Sequence, residues 1–180
     1  RSGLLPPLSF CFSVFLLCLL AVPRPFLPLP PEPLVRRRLL LLQVASKNRV
    51  TITCSPNFGY RHFLKVLGQR RLDDVNLSAI RLIYNGAEPI SVDLCNEFMS
   101  ALAYTGLKRQ AMYPVYGLAE ASLAVTLPDL GSDFRWLRVN RHKLGVGTNI
   151  EINPADARDT RELVCVGRAV PRPEDRIAGD

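Results

Sequence analysis

The chain has 180 residues, enough for one ordinary domain, and its 48% hydrophobic and 22% charged content excludes a disordered or collagen-like polypeptide. Its net charge is +7, but residues 1–44 hold five Arg and one Glu and so account for +4, leaving the other +3 thinly spread. A nucleic-acid-binding surface needs clustered basic charge, and five scattered cysteines with no C-x-x-C pair, beside isolated His62 and His142, offer no grouped zinc ligands and read as reduced thiols of an intracellular protein.

Residues 1–44 form an atypical segment that carries eight of the fifteen prolines. Leu8 to Val22 is a run of apolar residues and Ser, too short for a membrane span; Arg1 before it and Ala21-Val22 after it resemble the flanks of a signal-peptide core. Three readings stay open for it: a signal peptide, a buried core element, or sequence foreign to the rest of the chain. The stretch PRPFLPLPPEP (23–33) cannot form helix interior or central strand, because proline lacks the backbone donor and fixes φ. Arg36–Arg38 reads as a solvated flank. The first residue is not Met, and the chain is expected to be the middle of a longer protein.

From Arg49 the texture changes. Val50–Cys54 is β-branched and predicts a strand, ended by Pro56 and an expected turn at Asn57-Phe58-Gly59. Helical spacing of Phe63, Val66 and Leu67 predicts a helix from His62 to Arg71. Ala79–Tyr84 predicts a second strand, buried on both faces, stopping at Asn85-Gly86. Ser91 is a predicted N-cap for a helix with the apolar stripe Leu94, Cys95, Phe98, Met99 and Leu102, ended at Gly106. Met112–Tyr116 predicts a third strand and Ala119–Val125 the start of another helix. Short strands are expected at Phe134–Val139, Asn149–Ile152 and Glu162–Val166.

Strand–loop–helix repeated three times predicts an α/β fold with a mostly parallel sheet, flanking helices and a small β-rich portion. Ligands of such sheets bind beyond the carboxyl ends of the strands. There lie Pro56–Tyr60, Gly86–Pro89 and Tyr116–Glu120. Small residues at 86 and 87 permit close backbone approach to a planar ligand, Tyr116 offers an aromatic face, and Glu120 has the carboxylate chemistry that suits Mg²⁺. Each loop alone has an ordinary reading too: a tight turn, or an acid that compensates a helix dipole.

Taken in order, SPNFGY (55–60), NGAEP (85–89), MYPVYGLAEASLAVT (112–126) and LVCVGRAVP (163–171) resemble the adenylate-forming, AMP-binding superfamily, most closely its fatty acyl-AMP ligases. The resemblance covers residues 49–180 and implies a fragment of the large N-terminal domain, with 45–180 as a partial AMP-binding domain. It implies that Gly86, Ala87, Glu88 and Pro89 line an adenine pocket, that Tyr116 packs on the base, and that Gly117, Leu118 and Ala119 pass close to the nucleotide. Many superfamily members carry Thr where Ala119 stands; the fatty-acyl branch commonly carries Ala. Glu120 would be the catalytic Mg²⁺ ligand, and Asn57 and Phe58 would stand at the wall of the acyl tunnel.

The implied activity uses ATP and Mg²⁺ to turn a fatty acid into acyl-AMP for transfer to a thiol of CoA or of an acyl-carrier protein. It implies a cytoplasmic enzyme with neither nucleic acid nor membrane as partner. The family's phosphate loop, ribose-binding Asp and lysine-bearing lobe have no counterpart here, so the isolated chain is expected to be inactive. The family pattern also sets Gly3–Leu8 and Ala45–Arg49 apart from a foreign-looking stretch at about 11–42, which comparison of reading frames would test. The alternative class is a small secreted or membrane-anchored binding protein, motivated by Leu8–Val22; processing and export would distinguish it.

Overall fold

The computed structural model describes residues 39–68, 71–118, 124–154 and 159–170; most of the atypical N-terminal segment lies outside them. Its last residues enter helix α1 (Leu40–Lys47), which buries Leu42 and Ala45, so the boundary drawn at residue 44 falls inside a helix packed on the core.

Strand β1 (Ile52–Cys54) is followed at once by α2 (Asn57–Leu67), capped by Pro56 at φ −77° and ψ 169°. The turn expected at Asn57-Phe58-Gly59 is therefore the first turn of α2, which starts five residues before the expected His62. The physical reason lies in Pro56 and Gly59. Proline tolerates a helix start because the donor it lacks would be unpaired there. Gly59 signalled a turn, yet what it supplies is space, since a Cβ there would lie 2.0 Å from Ser55 Oγ. Gly68, at φ +52°, ends the helix.

β2 (Leu82–Asn85) leads through residues 86–91 to α3 (Val92–Leu102), where Ser91 Oγ accepts a hydrogen bond from the Leu94 amide. The expected stripe is buried, together with Val92. Ser91→Ala should cost about 1 kcal/mol through loss of this cap, read as a lower urea midpoint at unchanged slope. A 3₁₀ turn (Ala103–Thr105) and left-handed Gly106 end the helix region. β3 (Met112–Pro114) follows.

The strands form one parallel sheet in the order β1-β2-β3, with Cys54 opposite Tyr84 and Asn85 opposite Pro114. Helices α2 and α3 pack against each other through Phe98, whose ring lies 4.8 Å from Tyr60 and 6.3 Å from Phe63. Thr53 and Ile83 face these helices and α1 around a small apolar cavity. Tyr84 and Tyr113 meet edge-on at 5.4 Å on the opposite face.

The β-rich portion pairs β4 (Thr126–Leu127) with β7 (Arg168–Ala169), and β5 (Trp136–Asn140) with β6 (Thr160–Val164), both antiparallel. The strand expected at Asn149–Ile152 reduces to one bridge, Ile152 with Val139. Of the helix expected at Ala119–Val125, residues 119–123 lie outside the described residues. Ala124 and Val125 are not helical, because the backbone is claimed by Tyr116, whose carbonyl accepts from Val125 (3.0 Å) and Thr126 (3.1 Å). Phe134 joins this portion to the main core, with the Arg109 guanidinium 5.2 Å above its ring.

Candidate functional site

The site is built at the carboxyl ends of the three parallel strands. Parallel pairing in register brings the residues after Cys54, Asn85 and Pro114 to one edge. Two bonds carry the ladder past the strand ends: Ser55 N–H to Tyr84 O (3.1 Å) and Val115 N–H to Asn85 O (2.8 Å). Gly86 and Tyr116 thus lie beyond neighbouring strand ends on the same edge of the sheet.

Tyr116 is anchored through its backbone. It bridges Thr126, so its main chain is held by β4 while its side chain is 49% exposed. A half-exposed ring on a held backbone offers an aromatic face for stacking on a planar group. Gly117 and Leu118 follow it at intermediate burial. Ala119 and Glu120 lie outside the described residues.

The 86–89 loop follows the neighbouring strand end. Gly86 is buried, whereas Ala87, Glu88 and Pro89 are exposed. Ala87 has φ +68°, a left-handed conformation that L-residues other than Asn and Asp rarely adopt. Residues 86–90 make no backbone–backbone hydrogen bond among the described residues. The peptide groups of Gly86, Ala87 and Glu88 thus have no backbone partner among those residues, whereas the Pro89 carbonyl accepts from Asn57.

Beneath the loop lies a polar group whose buried role the sequence does not show. Asn85 is fully buried; its Nδ2 donates to Cys95 Sγ (3.3 Å) and lies 3.5 Å from Asn57 Oδ1. Its own Oδ1 has no hydrogen-bond partner among the described residues. Burial pushes the Cys95 thiol up to about 11, with the Asn85 contact pulling the other way, so Cys95 is a protonated packing group. In the sequence Asn85 is a strand stop and the first residue of NGAEP, and no local signal marks its non-local partners.

Of the pair assigned to the acyl wall, Phe58 is 61% exposed and Asn57 is buried, donating through Nδ2 to Pro89 O at 2.5 Å. Tyr113 lies behind the site, its hydroxyl donating to Pro128 O; burial, then the Asp129 charge, raises its pKa. Among the described residues no group of three His, Cys, Asp or Glu side chains could hold a metal, and Glu120 lies outside them. The basic side chains of the β-rich portion are largely paired: Arg138 with Glu162 (3.3 Å), Arg141 with Asp159 (3.4 Å) and Lys143 with Glu151 (2.9 Å). The Lys143 and Asn140 hydrogen bonds hold the Glu151 carboxyl below its usual range.

Comparison with known proteins shows what the chain is similar to. Residues 3–176 match the family model described as AMP-binding enzyme. A medium-chain-fatty-acid–[acyl-carrier-protein] ligase of Moorena producens is 33% identical over 71% of this chain and 22% of its own length. A putative acyl-CoA synthetase of Caulobacter vibrioides is 30% identical over 84% of the chain and 27% of its own. The crystal structure of a fatty acyl-adenylate ligase from L. pneumophila, in complex with acyl adenylate and pyrophosphate, superposes with a TM-score of 0.71 at 29% identity, covering 77% of this chain and 24% of that one. The chain thus spans about a quarter of the length of the proteins it resembles. Matched over nearly its whole length, it belongs to the AMP-binding enzyme family.

Proposed function

We propose that this chain is part of an ATP-dependent ligase that adenylates a fatty acid and passes the acyl group to a thiol. The observation that carries the reading is the placement of residues 86–89 and Tyr116 beyond neighbouring ends of β2 and β3. The names of the relatives support the acyl class, and both CoA and carrier-protein acceptors are represented among them.

In this reading a carboxylate oxygen of the fatty acid bonds to the α-phosphorus of ATP. The bond from that phosphorus to the oxygen bridging to the β-phosphate breaks, and its electron pair leaves on pyrophosphate. A thiol, on CoA or on a carrier-protein pantetheine, then attacks the acyl carbon, loses its proton and displaces AMP. Tyr116 holds the adenine by stacking, and the unspent peptide groups of Gly86, Ala87 and Glu88 meet its edge. Pro89 closes that loop. Gly117, Leu118 and Ala119 line the path between nucleotide and acyl group, and Phe58, with its exposed ring, offers apolar surface to the acyl chain. Mg²⁺ bound at Glu120 would supply neutralisation of phosphate charge. The setting is cytoplasmic, where ATP is at hand; no helix among the described residues is long and apolar enough to cross a membrane. The alternative of a secreted binding protein rests on Leu8–Val22, which lies outside the described residues.

Pyrophosphate release by the full-length ligase tests the reading. Release that needs both ATP and a fatty acid is the expected result, and none with fatty acids of any chain length overturns it. Tyr116→Ala should raise the KM for ATP about tenfold, since stacking on a base contributes roughly 1–3 kcal/mol. Its kcat should change less, because stacking stabilises ground and transition states alike. An unchanged KM for ATP removes Tyr116 from the adenine site.

A further inference from the structure

We propose that Asn57 is a positioning residue for the nucleotide loop: its carboxamide, reaching from the first turn of α2, fixes residues 86–91 at the height at which they face Tyr116. The inference rests on the adenylation reading for its functional consequence, but its structural content stands apart from that reading.

Three observations carry it. First, both polar atoms of Asn57 are committed across the fold. Nδ2 donates to Pro89 O at 2.5 Å, and Oδ1 accepts from the Ser91 amide at 3.4 Å and lies 3.5 Å from Asn85 Nδ2. One planar amide thus grips the loop at residues 89 and 91 and rests on the end of β2. Second, residues 86–90 make no backbone–backbone bond among the described residues; Ile90 packs on the core at one end, and the Asn57–Pro89 hydrogen bond is a polar tie for the stretch between. Third, Ala87 sits at φ +68°, and a residue in that region persists only where its surroundings over-determine it. Asn57 is nine-tenths buried, and its bonds to Pro89 and Ser91 restrain the chain just after Ala87.

The geometry separates the two walls of the site. Tyr116 takes its position from β4, through Thr126, whereas the 86–89 loop takes its position from α2, through Asn57. The width of the gap between them is set by two independent anchors. Asn57 therefore governs the nucleotide side of the reaction, which departs from the acyl-wall role the family resemblance implies for it.

The experiment uses the full-length ligase and Asn57→Asp, which keeps the shape and the Oδ1 acceptor but turns the Nδ2 donor into an oxygen facing the Pro89 carbonyl. The KM for ATP should rise about tenfold, the scale of a lost buried hydrogen bond, while the KM for the fatty acid and the chain-length preference stay within about twofold. A shift confined to the fatty-acid KM overturns the proposal and returns Asn57 to the acyl wall. A second measurement needs neither a variant nor turnover. In hydrogen–deuterium exchange of the unmodified enzyme, the Ser91 amide should exchange at least about tenfold more slowly than the amides of Ala87 and Glu88. Equal, rapid exchange at all three overturns the clamp even if Asn57→Asp fails to fold. Absence of pyrophosphate release by the unmodified enzyme would defeat the adenylation reading alone, and the exchange result would still decide the clamp.

Discussion

Glu120→Gln in the full-length ligase is expected to lower kcat/KM for adenylation by roughly a hundredfold or more, with far less effect on folding. The amide keeps the length and shape of the carboxylate and removes its charge. A divalent cation bound through hard oxygen ligands depends on that charge, and neutralisation of the phosphates matters most where charge is redistributed during displacement. The loss should fall on kcat at saturating ATP and be partly recovered at raised Mg²⁺ concentration. Tyr116→Ala should show the opposite split, which makes the pair diagnostic of the proposed roles, one on charge and the other on the base. An unaltered pyrophosphate-release rate for Glu120→Gln would remove the metal assignment.

Gly167→Ala carries the largest expected loss of stability. Gly167 has φ +91°, and a Cβ there would lie 2.0 Å from Leu127 O and 2.1 Å from Leu127 C. Those are backbone atoms of β4, so no side-chain rotation relieves the clash. Strain of the backbone and overpacking together predict a loss of about 3 kcal/mol or more, measured as a fall in the unfolding midpoint. The effect should reach the site as well. Gly167 immediately precedes β7, β7 pairs with β4, and β4 holds the backbone of Tyr116. The KM for ATP should therefore rise in a variant far along the chain from both proposed nucleotide loops. A midpoint unchanged within about 0.5 kcal/mol would show that β4 and β7 do not approach in this way.

The parallel sheet was legible because its signals are local. Val50–Cys54, Ala79–Tyr84 and Met112–Tyr116 are apolar runs bounded by breakers, and each contains an observed strand or most of one. The shared edge of the loops then follows from the strand–helix repeat. The family too was legible, from motifs in order. What failed had competing local meanings. Asn57-Phe58-Gly59 has turn composition, yet Pro56 starts a helix there and Gly59 gives room to Ser55. Ala124-Val125 continued a helical pattern until Tyr116 claimed their neighbourhood through pairing nine to ten residues away. The Asn57–Pro89 and Asn57–Asn85 contacts span 32 and 28 residues. No window of sequence contains both ends of such a contact, so the buried amide pair under the loop was invisible until the fold brought it together.

Along β2, burial alternates between neighbours: Leu82 and Tyr84 are half-buried, Ile83 and Asn85 fully so. Successive side chains of a strand point to opposite faces, and here the two faces have different company. Ile83 and Asn85 meet α2, α3 and the amide of Asn57, where volume and polarity are both constrained; Leu82 and Tyr84 lie on the face that carries Tyr113. Random substitution along this one strand would therefore be filtered with a period of two. Drift would be admitted at Leu82 among residues that suit a partly wetted surface, and refused at Ile83 for any residue of different shape. At Asn85 the filter is chemical as well as steric, because an amide there touches a thiol and a second amide at once.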